Sequence, residues 1–444
     1  MNAPKRMIVI AIIIIIALPT TITLMAGKDP TPPVNKINAP PIIEAKIVDL
    51  PIIEDDDDDF KVNPMDDFIK NGIDWLAASQ FENGGWGAGS HNNQHIRDPK
   101  KVKIDPGTTA FASMALLRAG HTPTTGKYSV NISKALNYLL EMVEASTEND
   151  IKITNVTGTQ PQYKLGANID ATLTSQFFTR VIHYVDNDPE LEQRVTKALD
   201  KCIRKIERSQ ATDGSWAAAG WAGNLQSSMA YNALELADNI GRPVDAKVMK
   251  KAKDYQEGNV KVDAKGKTSS VATGGSAGVQ LYSIAGSQRS SAKGSRKAYR
   301  LIEQGKKEGK LLDDAEVTEE NLMILDLPKE EAEVLYNSYE KNKATAESMN
   351  DDAVLAGFGN NGGEEFLSYM ITSESMVITG GEDWTSWNNK MHTRLAKIQN
   401  KDGSWSGHHC ITSPVYCTAT VILTLSADLD RELLVLEDTK TDQN

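Results

Sequence analysis

The sequence predicts an all-α protein in which six helical hairpins stack into a closed ring behind an exported N-terminal segment. Three observations predict it. From about Pro64 to Asp430 apolar residues recur at helical spacing, and strand alternation is scarce. These helical stretches fall into pairs, a polar-flanked helix followed by one of small residues that is apolar on nearly all sides. A seven-residue Q-x-x-x-G-x-W frame also occurs three times, at Gln80, Gly84 and Trp86, at Gln210, Gly214 and Trp216, and at Gln399, Gly403 and Trp405. Each copy ends a polar-flanked helix.

The chain is 444 residues long, 40% hydrophobic and 24% charged, which suits a globular protein with a sizeable core. Its formal net charge of -12 leaves no surplus to neutralise phosphates, so a nucleic-acid partner is not expected. Part of that charge is local: Glu54 and the run Asp55 to Asp59 read as a solvated stretch. Three cysteines, Cys202, Cys410 and Cys417, are too few for a disulfide-built scaffold.

In chain order, Lys5 and Arg6 precede an apolar run from Met7 to Leu18 that continues to Met25. A positive flank before such a run is an export signal, so residues 1–26 are a signal peptide or a membrane anchor, and the body lies outside the cytoplasm. Residues 27–62 hold six prolines and the Asp run and show no period, as expected of a disordered linker.

The ring follows at 63–430. The spacing of Phe68, Ile69, Ile73, Leu76 and Ala77 predicts a first outer helix over 66–80. Its inner partner covers 105–119, with Asp105 as N-cap, Pro106 at the first helical position and Gly120 as stop. Four further pairs are expected at 133–145 with 168–184, 191–210 with 224–237, 246–256 with 271–285, and 387–399 with 414–427. A fifth outer helix at 292–304 would pair with 364–378, leaving 305–363 as a charged insertion and 431–444 as a C-terminal tail. Single hairpins cannot bury their apolar faces alone, so they must stack.

The Q-x-x-x-G-x-W frame at the end of an outer helix resembles the repeat of the prenyltransferase and squalene-cyclase family. That resemblance covers about 64–430 and implies a single α6/α6 toroid, an inner and an outer ring of helices, in which Gln80 with Trp86, Gln210 with Trp216, and Gln399 with Trp405 tie one hairpin to the next. The family's chemistry is not carried over with the fold. The acidic D-x-D-D-T-A stretch of the cyclases has no counterpart: Asp170 stands alone in Asn168–Thr172, and Tyr416 precedes Cys417-Thr418-Ala419 where an acid would be expected. The Asp, Cys and His zinc ligands of the protein prenyltransferases have no counterpart beyond Cys417.

Other polar residues still gather in the loops that precede inner helices. Asp105, Asp170, Glu364 and Glu365 at inner-helix starts are candidate catalytic carboxylates, or simply N-caps. His91 and His95 lie in the loop of hairpin one, and His408, His409 and Cys410 in that of hairpin six. Ring closure would bring these loops together, and imidazole with thiolate suits zinc, although Gly-rich loops also tolerate His for no functional reason. Cys410 and Cys417 could form a disulfide outside the cytoplasm, remain free thiols, or bind metal. Cys202 reads as core. The expected function is an extracytoplasmic binding or scaffold domain using its rim or central cavity. The alternative is an enzyme acting on a polysaccharide or an isoprenoid lipid, with its site at the rim bearing Asp105, Asp170, His408 and His409. The expected partners are the membrane, through the N-terminal segment, and an unnamed ligand or protein at the rim.

Overall fold

The computed structural model describes residues 65–216 and 220–436. The signal or anchor at 1–26, the linker at 27–62 and the end of the predicted tail lie outside the described residues. The class is all-α. In chain order the helices are α1 (Asp67–Ala78), α2 (Pro106–Arg118), α3 (Ser129–Ala145), α4 (Gln160–Leu165), α5 (Ile169–Val181), α6 (Pro189–Arg208), α7 (Gly223–Asn239) and α8 (Ala246–Gly258). A short antiparallel hairpin, β1 (Val260–Val262) and β2 (Thr268–Val271), intervenes. Then come α9 (Gln280–Lys307), α10 (Glu319–Ile324), α11 (Lys329–Ser348), α12 (Asp352–Leu355), α13 (Gly363–Thr379), α14 (Gly381–Ala396), α15 (Pro414–Leu425) and α16 (Arg431–Val435).

Composition explains which helices lie inside. Every residue of α2, α5 and α15 is buried, and nearly every one of α7 and α13. Small residues let such helices approach one another closely on several sides. By contrast, α6 buries one stripe only, Val195, Ala198, Leu199, Cys202, Ile203 and Ile206, at the spacing of a single helix face. The buried helices pack in a closed cycle: α2 on α5, α5 on α7, α7 on α9, α9 on α13, α13 on α15, and α15 back on α2. Each of α3, α6, α8, α11 and α14 packs on the buried helix before it in sequence, and α1 packs on α15.

The three Q-x-x-x-G-x-W frames build the same joint three times. Gln80 Nε2 donates to Gly84 O and to Asn131 O, both at 2.8 Å. Gln210 Nε2 donates to Gly214 O at 3.2 Å and Val248 O at 2.9 Å. Gln399 Nε2 donates to Gly403 O and Phe68 O, both at 2.7 Å. Each glutamine thus fastens its own turn and a carbonyl in the first turns of another outer helix. Each Trp is buried, and its Nε1 donates to the carbonyl ten residues before it: Leu76, Ile206 and Leu395. Its backbone N–H donates to a hydroxyl of the following buried helix, Thr109, Ser227 or Thr418. Gly84, Gly214 and Gly403 all have φ near +90°, and a Cβ there would meet the backbone of Lys134, Lys251 and Asn71.

Two expectations need correction. The fifth outer helix is not 292–304, because α9 runs unbroken from Gln280 to Lys307. Its internal glycines allow close packing instead of breaking the helix: a Cβ on Gly286 would strike Gln256, and one on Gly294 would strike Ser338. The outer position is taken by α11, inside what reads as a charged insertion. That stretch has a small core of its own, with Ile302, Leu311, Val317, Leu322, Ala332 and Leu335 packed together. The tail also begins later than 431, since Leu434, Val435 and Leu436 are buried and Leu436 O accepts from Lys293 Nζ at 2.7 Å. Among the described residues no helix is long and apolar enough to cross a membrane.

Candidate functional site

Charged residues occur in helices that are buried on every side, and there they must pair. Arg118 of α2 meets Glu374 of α13 at 2.8 Å and Asp430 at 2.6 Å. Arg180 of α5 meets Asp430 at 2.7 Å and Glu374 at 3.5 Å. Arg289 of α9 meets Glu235 of α7 at 2.7 Å and Glu374 at 3.7 Å. The sixth buried helix takes part through Leu423 O of α15, which accepts from Arg118. Three guanidiniums and three carboxylates therefore balance in charge. Burial alone would raise the Asp430 carboxyl, but Arg118 and Arg180 overcome it and hold it down at about 2. Near this network a cavity of about 850 Å³ opens by Ile73, Leu117, Leu429 and Leu433, at the C-terminal ends of α2 and α5.

The candidate carboxylates sit at the other end, where the buried helices begin. Asp105 caps α2, accepting from Thr108 N at 2.7 Å and Ala88 N at 3.0 Å. Asp170 accepts from Gly107 N at 3.0 Å and Gln162 Nε2 at 2.6 Å. The two acids are close enough to interact: burial first, then the charge of Asp105, pushes Asp170 up to about 7, and burial raises Asp105 as well. All four oxygens of the pair serve the local backbone or Gln162, which is the work of caps and braces.

The second pair differs. Glu365 accepts from Tyr282 Oη at 2.7 Å, Phe358 N at 2.9 Å and Gly362 N at 2.9 Å. Glu364 accepts from Ile411 N at 3.1 Å through one oxygen, while its Oε1 is buried with no partner. Burial, then the charge of Glu365, pushes Glu364 up to about 7. The Tyr416 hydroxyl, near enough to feel the charge of Glu364, is also fully buried with no partner. Lys164, 7% exposed, faces the same place, with its ammonium 4.7 Å from the Trp221 ring.

The two histidine loops do meet. Gln94 Nε2 donates to Cys410 O at 2.6 Å, Thr412 Oγ1 to Gln94 O at 2.8 Å, and Arg97 to Gly407 O at 2.8 Å. Their imidazoles do not assemble. His91 stacks on Tyr163 at 3.6 Å, His409 lies against Phe358 at 5.4 Å, and His95 and His408 are exposed. Among the described residues no three His, Cys, Asp or Glu side chains form a metal set. The zinc candidate of His91, His95, His408, His409 and Cys410 is therefore withdrawn, because aromatic neighbours hold two of the rings apart. The disulfide is corrected too. Cys410 and Cys417 are free and buried, with the Cys417 Sγ 3.6 Å from Ile411 O. Burial, then the charge of Glu364, pushes the Cys410 thiol up to about 12, which leaves it unreactive.

No family model matches this chain, and no curated protein matches its sequence. The site must be read from its own groups. Sequence reasoning missed Lys164, Tyr282 and the six-member ion network. The network had a signal: Arg118, Arg180, Glu235, Arg289 and Glu374 each interrupt a run of uncharged residues.

The raised carboxyls set a pH dependence. Asp170 binds its proton up to about 7 in the folded state, against 3.8 for an unperturbed aspartate. As pH rises from about 4 to about 7, the unfolded chain loses this proton first, so stability should fall by on the order of 4 kcal/mol and then level off. Glu364 acts in the same direction over the same window. Asp430 acts oppositely, adding stability that is lost as pH falls from about 4 towards 2. Denaturant midpoints of Asp170→Asn between pH 4 and 7 should show a shallower decline than the parent. An equal slope in both proteins would remove Asp170 from this account.

Proposed function

We propose that residues 65–436 form a single α6/α6 toroid of the prenyltransferase and squalene-cyclase repeat type, held outside the cytoplasm by the N-terminal segment. Its role in this reading is non-catalytic, and it binds its ligand at the rim where the inner helices begin. The closed packing cycle and the threefold Gln–Gly–Trp joint support the toroid. One observation carries the binding face: Tyr163, Trp221 and Phe358 are 54%, 46% and 54% exposed at that rim, and the Trp221 and Phe358 rings meet edge to face at 6.3 Å. Large aromatic side chains left exposed together in one place mark a binding surface.

Hydrogen–deuterium exchange on the full-length protein tests this. Polygalacturonate, laminarin and phosphatidylglycerol vesicles are added separately. At least one should slow exchange at 163–166, 221–226, 357–365 and 407–412 without being chemically altered. Protection confined to the cavity by Leu429 and Leu433, or none at all, would overturn the rim as the binding face. A second reading, an enzyme at the same rim, is favoured by the proton held on Glu364 up to about 7, which suits a general acid. Release of soluble product, abolished by Glu364→Gln, would establish that reading over the first.

A further inference from the structure

The cavity by Ile73, Leu117, Leu429 and Leu433 has no part in the reading above. It measures about 850 Å³ and lies at the C-terminal ends of α2 and α5, away from the aromatic rim. Its lining is mostly apolar. Leu429 and Tyr184, both in the wall, are 42% and 43% exposed. A hollow walled in this way leaves apolar surface in water that an apolar occupant would remove.

Connectivity names the occupant. Met65, two residues ahead of α1, is itself part of the wall. The chain leading to it reads Phe60-Lys61-Val62-Asn63-Pro64. Val62 is three residues from Met65 and Phe60 five, so even a fully extended chain keeps them within about 10 and 17 Å of it. Pro64 biases Asn63 towards extended backbone. An extended segment puts Phe60, Val62 and Pro64 on one face and Lys61 and Asn63 on the other, an apolar edge for the cavity and a polar edge for solvent. Asp55 to Asp59 come just before Phe60 and bound the apolar stretch. The other end of the chain is no competitor. It also leaves close to this cavity, past Leu433, but 437–444 reads Glu-Asp-Thr-Lys-Thr-Asp-Gln-Asn and offers no apolar side chain. A tethered segment needs little intrinsic affinity, because a short connection holds it at an effective concentration of about millimolar.

We propose that residues 60–64 dock in this cavity, with Phe60 and Val62 against Leu117, Leu429 and Leu433, and so belong to the folded body instead of the linker. The N-terminal segment then joins the body at the end away from Tyr163, Trp221 and Phe358 and leaves that rim free. The docking does not depend on what the rim binds.

Trypsin acting on the full-length protein in detergent tests it. The rate of cutting after Lys61 is compared with that in a synthetic peptide of residues 55–68. Cutting should be slower in the protein than in the peptide. Phe60→Ser, which leaves every side chain of the described body in place, should speed cutting in the protein about tenfold or more, the factor that burial of one aromatic side chain supplies. The same change in the peptide should have no such effect. Leu433→Ser, a change in the cavity wall, should also speed cutting in the protein. A parent protein cut as fast as the peptide would overturn the proposal. So would slow cutting that both variants leave intact, since it would report only the nearness of the body to Lys61. Slow cutting that appears only at raised protein concentration would give the cavity to a second copy, and slow cutting that appears only with phosphatidylglycerol vesicles would give it to a lipid. Either result would also overturn the docking of residues 60–64.

Discussion

Trp405→Ala is expected to destabilise the protein by about 3–5 kcal/mol, as truncation of a fully buried aromatic does. The indole is completely buried, and it fills the joint where the last frame meets the first helix. Its ring lies 6.2 Å from that of Phe68, it occupies the space over Gly72, and its Nε1 is the partner of Leu395 O. The variant therefore opens a cavity, strands a helix-end carbonyl and loosens the contact that Gln399 makes with Phe68 O. Trp405→Phe separates these effects. It keeps most of the packing and loses the hydrogen bond, so its cost should fall well below that of alanine. Denaturant midpoints measure both. A Trp405→Ala protein that unfolds with the parent would show that the frame does not hold this joint.

Glu374→Gln is the second large effect. Glu374 lies within 4 Å of all three buried guanidiniums, those of Arg118, Arg180 and Arg289. Removing its charge leaves three cations facing two anions, and breaking a buried pair in this way costs about 3–5 kcal/mol. The geometry is nearly conserved by the amide, so the loss reads the charge and not a void. A compensating change sharpens the test. Arg118→Met with Glu374→Leu removes a buried pair together and should recover part of the loss, because well-packed apolar replacements avoid the desolvation cost. Stability of Glu374→Gln equal to the parent at pH 7 would mean that the network is not the electrostatic lock of this end of the helices.

What was legible in the sequence was local. Helix periods, the Asp105 cap before Pro106 and the three identical turns depend on residues within about ten positions of one another. Short-range backbone geometry repeats wherever the same residues recur, so Gln80, Gln210 and Gln399 make equivalent bonds. The burial of whole helices was legible too, because small residues on every face have few other uses. The candidate acids were legible as helix starts, but their chemistry was not. Asp170 and Glu364 look alike in the sequence. One has both oxygens engaged by neighbours brought from 63 and 8 positions away, and the other keeps an oxygen free.

Only the tertiary structure decided what those long-range encounters are. It carries α9 straight through the expected break, because Gly286 and Gly294 meet Gln256 and Ser338. It seats α11 on α9 in place of the expected outer helix. It joins the two histidine loops through Gln94 and Thr412 while Tyr163 and Phe358 take up the imidazoles that zinc would have needed. It also brings Lys164, Trp221 and Phe358, distant from one another in sequence, to the end of the helices where Glu364 lies. The physical reason is the same in each case. Helix and turn preferences act over a few residues, whereas the position of a side chain in a site is set by how whole helices pack, a sum of many weak contacts that no short stretch encodes.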